Sequence, residues 1–74
     1  MGTEHLIQMA NDIGAYFRAE PNHDDAVAGI ANHIGKFWTP RMRQQIVKHL
    51  AEGGEGLDQL PREAVARLGE ATEV

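Results

Sequence analysis

The 74-residue chain has no cysteine. That excludes disulfides, thiolate metal sites, Fe–S ligation and thiol nucleophiles. It has no serine either, and its threonines are Thr3, Thr39 and Thr72, placed at expected helix caps or in the tail. Nucleophilic catalysis of the Ser/His/Asp kind therefore has no candidate. Aromatic residues are few: one tryptophan, one tyrosine and two phenylalanines. No apolar run approaches the roughly 18 residues that cross a bilayer, so no membrane contact is expected. Residues Met1–His5 lack the basic start and apolar stretch of a signal peptide, which makes the cytoplasm the expected compartment.

What the chain does contain is an uneven distribution of charge. The net charge is −4, which speaks against nucleic acid as the main partner. From Ala26 to Ala51 there is no acidic residue, and Lys36, Arg41, Arg43 and Lys48 give that window +4, with His33 and His49 added. The remainder holds all eleven acids against Arg18, Arg62 and Arg67, hence −8. An acidic frame surrounds a basic middle. Either the acidic ends fold over the middle and pair with it, or the middle is a basic patch facing an acidic surface on a partner.

Apolar spacing predicts an all-α fold, a small bundle of three main helices plus a short fourth C-terminal one. It forms one domain over 1–74, with helices over about 4–19, 24–38, 40–51 and 58–69. Thr3 is the expected cap of the first helix, whose stripe is Leu6, Ala10, Ile13 and Phe17. Pro21 disfavours helix in the residue before it and ends that run. Asn22 or Asp24 caps the second helix, where Val27, Ile30, Ala31, Ile34, Phe37 and Trp38 form a wide apolar face with Phe37 in the core. Thr39-Pro40 fits a cap followed by proline at the first helical position. The third helix turns Met42, Ile46, Val47 and Leu50 inward, and Glu52-Gly53-Gly54-Glu55-Gly56 stops it. Leu60, Ala64, Val65 and Leu68 face in from the fourth, with Pro61 in its first turn and the chain fraying after Gly69. A chain this short buries only about 60% of the surface its unfolded form exposes, so a partner would help it.

An internal echo links two segments. Residues 9–17 read Met-Ala-Asn-Asp-Ile-Gly-Ala-Tyr-Phe, and residues 30–38 read Ile-Ala-Asn-His-Ile-Gly-Lys-Phe-Trp. Glycine inside a helix costs up to about 1 kcal/mol relative to alanine. Gly14 and Gly35 at matching places therefore suggest a close crossing of two antiparallel helices, with Asn11 and Asn32 hydrogen-bonding across or beside it.

No catalytic set, phosphate loop or strong metal-ligand pattern stands out. His23-Asp24-Asp25 reads as a turn and an acidic helix start rather than a cation site. The stretch Phe37-Trp38-Thr39-Pro40-Arg41-Met42-Arg43 carries the sharper signal. Arg41 and Arg43 sit in the first turn of a helix, where the macrodipole disfavours cations by a few tenths to about 1 kcal/mol. They are either paired with acids elsewhere in the chain or reserved for a partner's carboxylate or phosphate, which arginine meets bidentately. Trp38, Pro40, Arg41, Met42, Arg43 and Lys48 are the expected partner-binding residues, with no catalytic, cofactor-binding or metal residues. A helix-turn-helix DNA-binding regulator and a self-associating helical protein without an enzyme partner are the rival readings.

At these residues the chain resembles a known family. Met9-Ala10-Asn11-x-Ile13-Gly14, Phe17, Ala28-Gly29-Ile30-Ala31-Asn32-His33-Ile34, Phe37-Trp38-Thr39-Pro40-Arg41-Met42-Arg43, Gly53-Gly54-Glu55-Gly56-Leu57 and Arg62-Glu63-Ala64-Val65 are similar to the delta subunit of NAD-dependent, molybdenum-containing formate dehydrogenases. One departure is Asp58-Gln59-Leu60-Pro61, where the family pattern implies an earlier proline and an apolar residue before Arg62. The resemblance implies a non-catalytic accessory subunit of a cytoplasmic enzyme, acting in assembly, stability or molybdenum-cofactor insertion and holding no cofactor of its own. It implies the alpha subunit as partner, carrying bis-molybdopterin guanine dinucleotide and Fe–S clusters. Beta and gamma subunits would belong to the same complex and pass electrons through Fe–S clusters and FMN to NAD.

Overall fold

The computed structural model describes residues 2–72. Its elements are α1 (Thr3–Phe17), α2 (His23–Phe37), α3 (Pro40–Ala51) and α4 (Gln59–Thr72), and there is no strand among the described residues. The bundle measures 31 × 27 × 22 Å. No helix among the described residues is long and apolar enough to cross a membrane. The core is one cluster: Leu6 and Ala10 from α1, Val27, Ile30 and Ile34 from α2, Trp38 from the α2–α3 link, Ile46 from α3, Leu57 from the loop, and Ala64 and Val65 from α4.

Each boundary has a local cause. The cap of α1 is Gly2, with no side-chain bond, and the Thr3 hydroxyl instead accepts from Gln45 Nε2 of α3 at 2.9 Å. Thr3 thus ties α1 to α3 rather than starting α1. Asn22 caps α2 by accepting from the Asp25 N–H at 3.0 Å. Thr39 caps α3 by accepting from the Met42 N–H at 3.2 Å, and Pro40 follows at the first helical position. The end of α3 is a Schellman motif: Gly54 N–H donates to His49 O and Gly53 N–H to Leu50 O, with φ of +121° at Gly53. A turn then closes from Gly54 O to the Leu57 N–H, and its third residue is Gly56 at φ +90°, a value that suits glycine there.

The fourth helix does not stop at Gly69. It continues to Thr72, and Gly69 faces α3, where an added Cβ would lie 3.2 Å from Val47 Cγ1. The expected fraying of Glu73 and Val74 lies outside the described residues. Pro61 stands in the first turn of α4 and is buried. Its ring lies against α1 at Gly14, where a Cβ would meet Pro61 Cδ at 2.7 Å.

That contact corrects the expected crossing. Gly14 does mark a close approach, but to α4. Gly35 is exposed, with no neighbour within 4 Å of an added Cβ. The tight glycine of the α1–α2 pair is Gly29, whose Cβ would run into the Phe17 ring. Asn11 does not bond to α2 either. Its amide donates to Gly56 O at 2.8 Å and accepts from the Asp58 N–H at 2.9 Å, holding the loop before α4 against α1. Asn32, its counterpart in the echo, is exposed.

Candidate functional site

The α2–α3 corner is where the chain turns its aromatic pair apart. Phe37 is the last residue of α2, and Trp38 leaves helical geometry at φ −87° and ψ 145°. That change swings the indole inward. Trp38 is buried at 4% exposure, whereas Phe37 stands 70% exposed. The expected core position of Phe37 is therefore corrected, and Trp38, expected to meet a partner, is enclosed by the core.

The two first-turn arginines also part. Arg43 Nη1 donates to Trp38 O at 2.6 Å and to Gly35 O at 3.3 Å. These are carbonyls at the negative C-terminal end of α2, where a cation is favoured. Arg43 thus serves the fold by capping α2, a use outside both sequence alternatives. Arg41 is exposed, and its side chain takes part in no hydrogen bond or ion pair among the described residues. Met42 is half-buried and packs on the core, and Pro40 and Lys48 are exposed.

Among the described residues the acidic frame does not pair with the cations of the basic middle. Arg67 pairs with Asp24 at 3.2 Å and His23 Nε2 meets the Glu63 carboxylate at 2.9 Å, both joining α2 to α4. Neither uses Lys36, Arg41, Arg43 or Lys48. Arg62 is turned to the chain itself and donates to Gly53 O at 3.1 Å and Gly54 O at 2.9 Å. The exposed cations Lys36, Arg41 and Lys48 are left facing solvent at and beyond the corner. Arg41 and Lys48, seven residues apart, share one side of α3. Pro40, Arg43, Gln44, Val47 and Lys48 line a shallow depression of about 240 Å³ along it.

Exposed Phe37 also borders a second feature. Asp12, Ile13, Tyr16, Phe17, His33 and Phe37 line a groove of about 540 Å³ between α1 and α2. The His33 ring packs on Phe37 with centroids 4.7 Å apart, and Tyr16 meets Phe17 edge-on at 5.2 Å. Tyr16 is 79% exposed. Tyr16 and Phe37 are counterparts in the internal echo, so both copies turn the same aromatic position outward. The apolar periodicity of α1 and α2 groups these rings with the core and so misses the groove. The echo was the signal that links them.

No group of three or more His, Asp or Glu converges among the described residues, and no buried side-chain polar atom is left without a partner. His23 bonds Glu63 through Nε2, and Gln59 bonds the same carboxylate at 2.9 Å. These hydrogen bonds, His23 first and Gln59 second, hold the Glu63 carboxyl below its usual range.

A family model described as NADH-dependent formate dehydrogenase delta subunit FdsD matches residues 5–65. No curated protein and no solved structure matches the chain.

Proposed function

The chain belongs to the family of NADH-dependent formate dehydrogenase delta subunits, and from that premise we propose that it is a non-catalytic accessory subunit of the enzyme. Its work is assembly, stability or molybdenum-cofactor insertion in the cytoplasm. The alpha subunit is the partner it meets, within a complex that also holds the beta and gamma subunits. The cofactors of the complex (bis-molybdopterin guanine dinucleotide, Fe–S clusters, FMN and NAD) sit on those larger subunits.

One observation carries the reading. The chain has eleven acids, yet among the described residues none forms an ion pair with Lys36, Arg41 or Lys48. Cations left unpaired in a chain of net charge −4 favour an acidic surface supplied from outside. The surface proposed for the contact is Lys36, Pro40, Arg41 and Lys48, with Met42 and Arg43 supporting it from beneath and Trp38 anchoring the corner.

The test is co-purification. Tagged chain expressed with the alpha subunit should retain it together with molybdenum. Arg41→Glu combined with Lys48→Glu should keep the helical circular-dichroism spectrum and lose most of the retained subunit. Undiminished retention and molybdenum content in that variant would remove the corner as the interface.

A further inference from the structure

The α1–α2 groove is the largest exposed aromatic feature outside the cationic corner, and the corner alone does not use it. Its rims are Tyr16 on α1 and Phe37 on α2, at 79% and 70% exposure. Two of four aromatic residues standing this far out represent apolar area that folding has left unburied. The floor is fixed. Phe17 lies over Gly29, where an added Cβ would run into its ring, and Ile13 packs against the core cluster. His33 is braced on Phe37. The groove is therefore formed without a ligand, and filling it needs little reordering of this chain.

Charge indicates what fills it. Asp12 is the one acid among the lining residues; it belongs to α1 and accepts from Gln8 at 3.4 Å. On the α2 side, Lys36 directly precedes Phe37. Arg43 ties the first turn of α3 to Gly35 and Trp38 carbonyls, which brings Arg41 to the same corner. One lip thus continues into unpaired positive charge. We propose that the groove seats an amphipathic helical segment of the larger formate dehydrogenase subunit. Its apolar residues, spaced three or four apart, would enter between Tyr16 and Phe37. Its Asp or Glu residues would lie toward Lys36 and Arg41. Helix-in-groove recognition uses this combination of apolar anchors and flanking charge. The inference rests on the accessory-subunit reading and adds the anchor to it.

The experiment uses the full chain co-expressed with the alpha subunit. Tyr16→p-benzoylphenylalanine and Phe37→p-benzoylphenylalanine are irradiated separately and the cross-linked peptides sequenced. Both positions should reach one segment of the alpha subunit with apolar residues at helical spacing and acids beside them. Cross-links to a second copy of this chain, to an unrelated alpha-subunit surface, or to nothing would overturn the inference. Tyr16→Ala with Phe37→Ala, both on exposed sites, should keep the fold and weaken association at least about tenfold, as loss of interface aromatics does. If the charge reversals at Arg41 and Lys48 weaken association while the aromatic pair does not, the groove is refuted and the accessory reading stands. If neither set matters, both the groove and the corner are refuted as interfaces, and retention of the alpha subunit by the unsubstituted chain decides the accessory reading. If only the aromatic pair matters, the acidic flank assigned to the segment is wrong and the inference fails as stated.

Discussion

At the scale of single residues, two glycines that look alike in the sequence have opposite roles. Gly14 lies under the Pro61 ring, a rigid and buried neighbour, and an added Cβ would stand 2.7 Å from Cδ. Gly35 has open space around it. Gly14→Ala should therefore destabilise by about 1–3 kcal/mol from overpacking, less the helix-propensity gain. Gly35→Ala should instead stabilise by up to about 1 kcal/mol. Urea denaturation of the two variants measures both, and equal effects would mean that Pro61 does not lie where it is described. The repeat Ala-Asn-x-Ile-Gly made these glycines visible but could not tell them apart. What presses on Gly14 comes from a proline 47 residues further along, and no local pattern encodes that. Phe37 and Trp38 illustrate the same gap. Both are apolar and adjacent at the end of one stripe, and the backbone turn at Trp38 decides which ring goes in. Thr39-Pro40 signalled where the helix would break, but not which way the indole would swing.

At the scale of elements, the stripes were legible. Leu6 and Ala10, Val27, Ile30 and Ile34, Ile46, and Ala64 and Val65 recur at helical spacing and are all buried. The cap at Thr39 follows from residue type, while at the start of α2 residue type left Asn22 and Asp24 as alternatives and the structure uses Asn22. Less legible was how the elements are tied, because the ties are polar and long-range: Asn11 to the 56–58 loop, Arg43 to the end of α2, Arg62 to the glycine carbonyls. The α2–α4 tie also gives a pH dependence. Glu63 is held below its ordinary value of 4.5 by its bonds to His23 and then Gln59. Its folded pKa is thus the lower one. Its stabilising contribution is complete above the unfolded value and is lost as pH falls through the folded value. Glu63→Gln should therefore flatten part of the acid-side decline in stability. Urea midpoints collected from neutral into acidic buffer measure this, and an unchanged acid-side slope would count against the contact. Both members are substantially solvent-accessible, at 58% for His23 and 35% for Glu63, so the effect should be small.

At the scale of the whole molecule, folding and association should respond differently to salt. Folding rests on an apolar cluster, and its ion pairs are exposed surface contacts. Stability should change little between low salt and about 0.5 M. Association through Lys36, Arg41 and Lys48 should weaken over the same range, since the screening length falls from about 10 Å at 0.1 M to about 3 Å at 1 M. Binding isotherms of the chain on the alpha subunit at several salt concentrations measure the difference, and salt-independent affinity would exclude the cationic corner. The charge window was plain in the sequence; that its cations remain unpaired needed the packed arrangement, which sends Arg62 to backbone and Arg67 to Asp24. The open space at Gly35 has a practical consequence as well. A chain without native cysteine would carry a single thiol in Gly35→Cys, on the last turns of α2 next to Lys36. A fluorophore would attach there at one defined atom, on a Cβ with no neighbour within 4 Å. Its emission or anisotropy would follow occupancy of the corner in real time, without a tag on either partner.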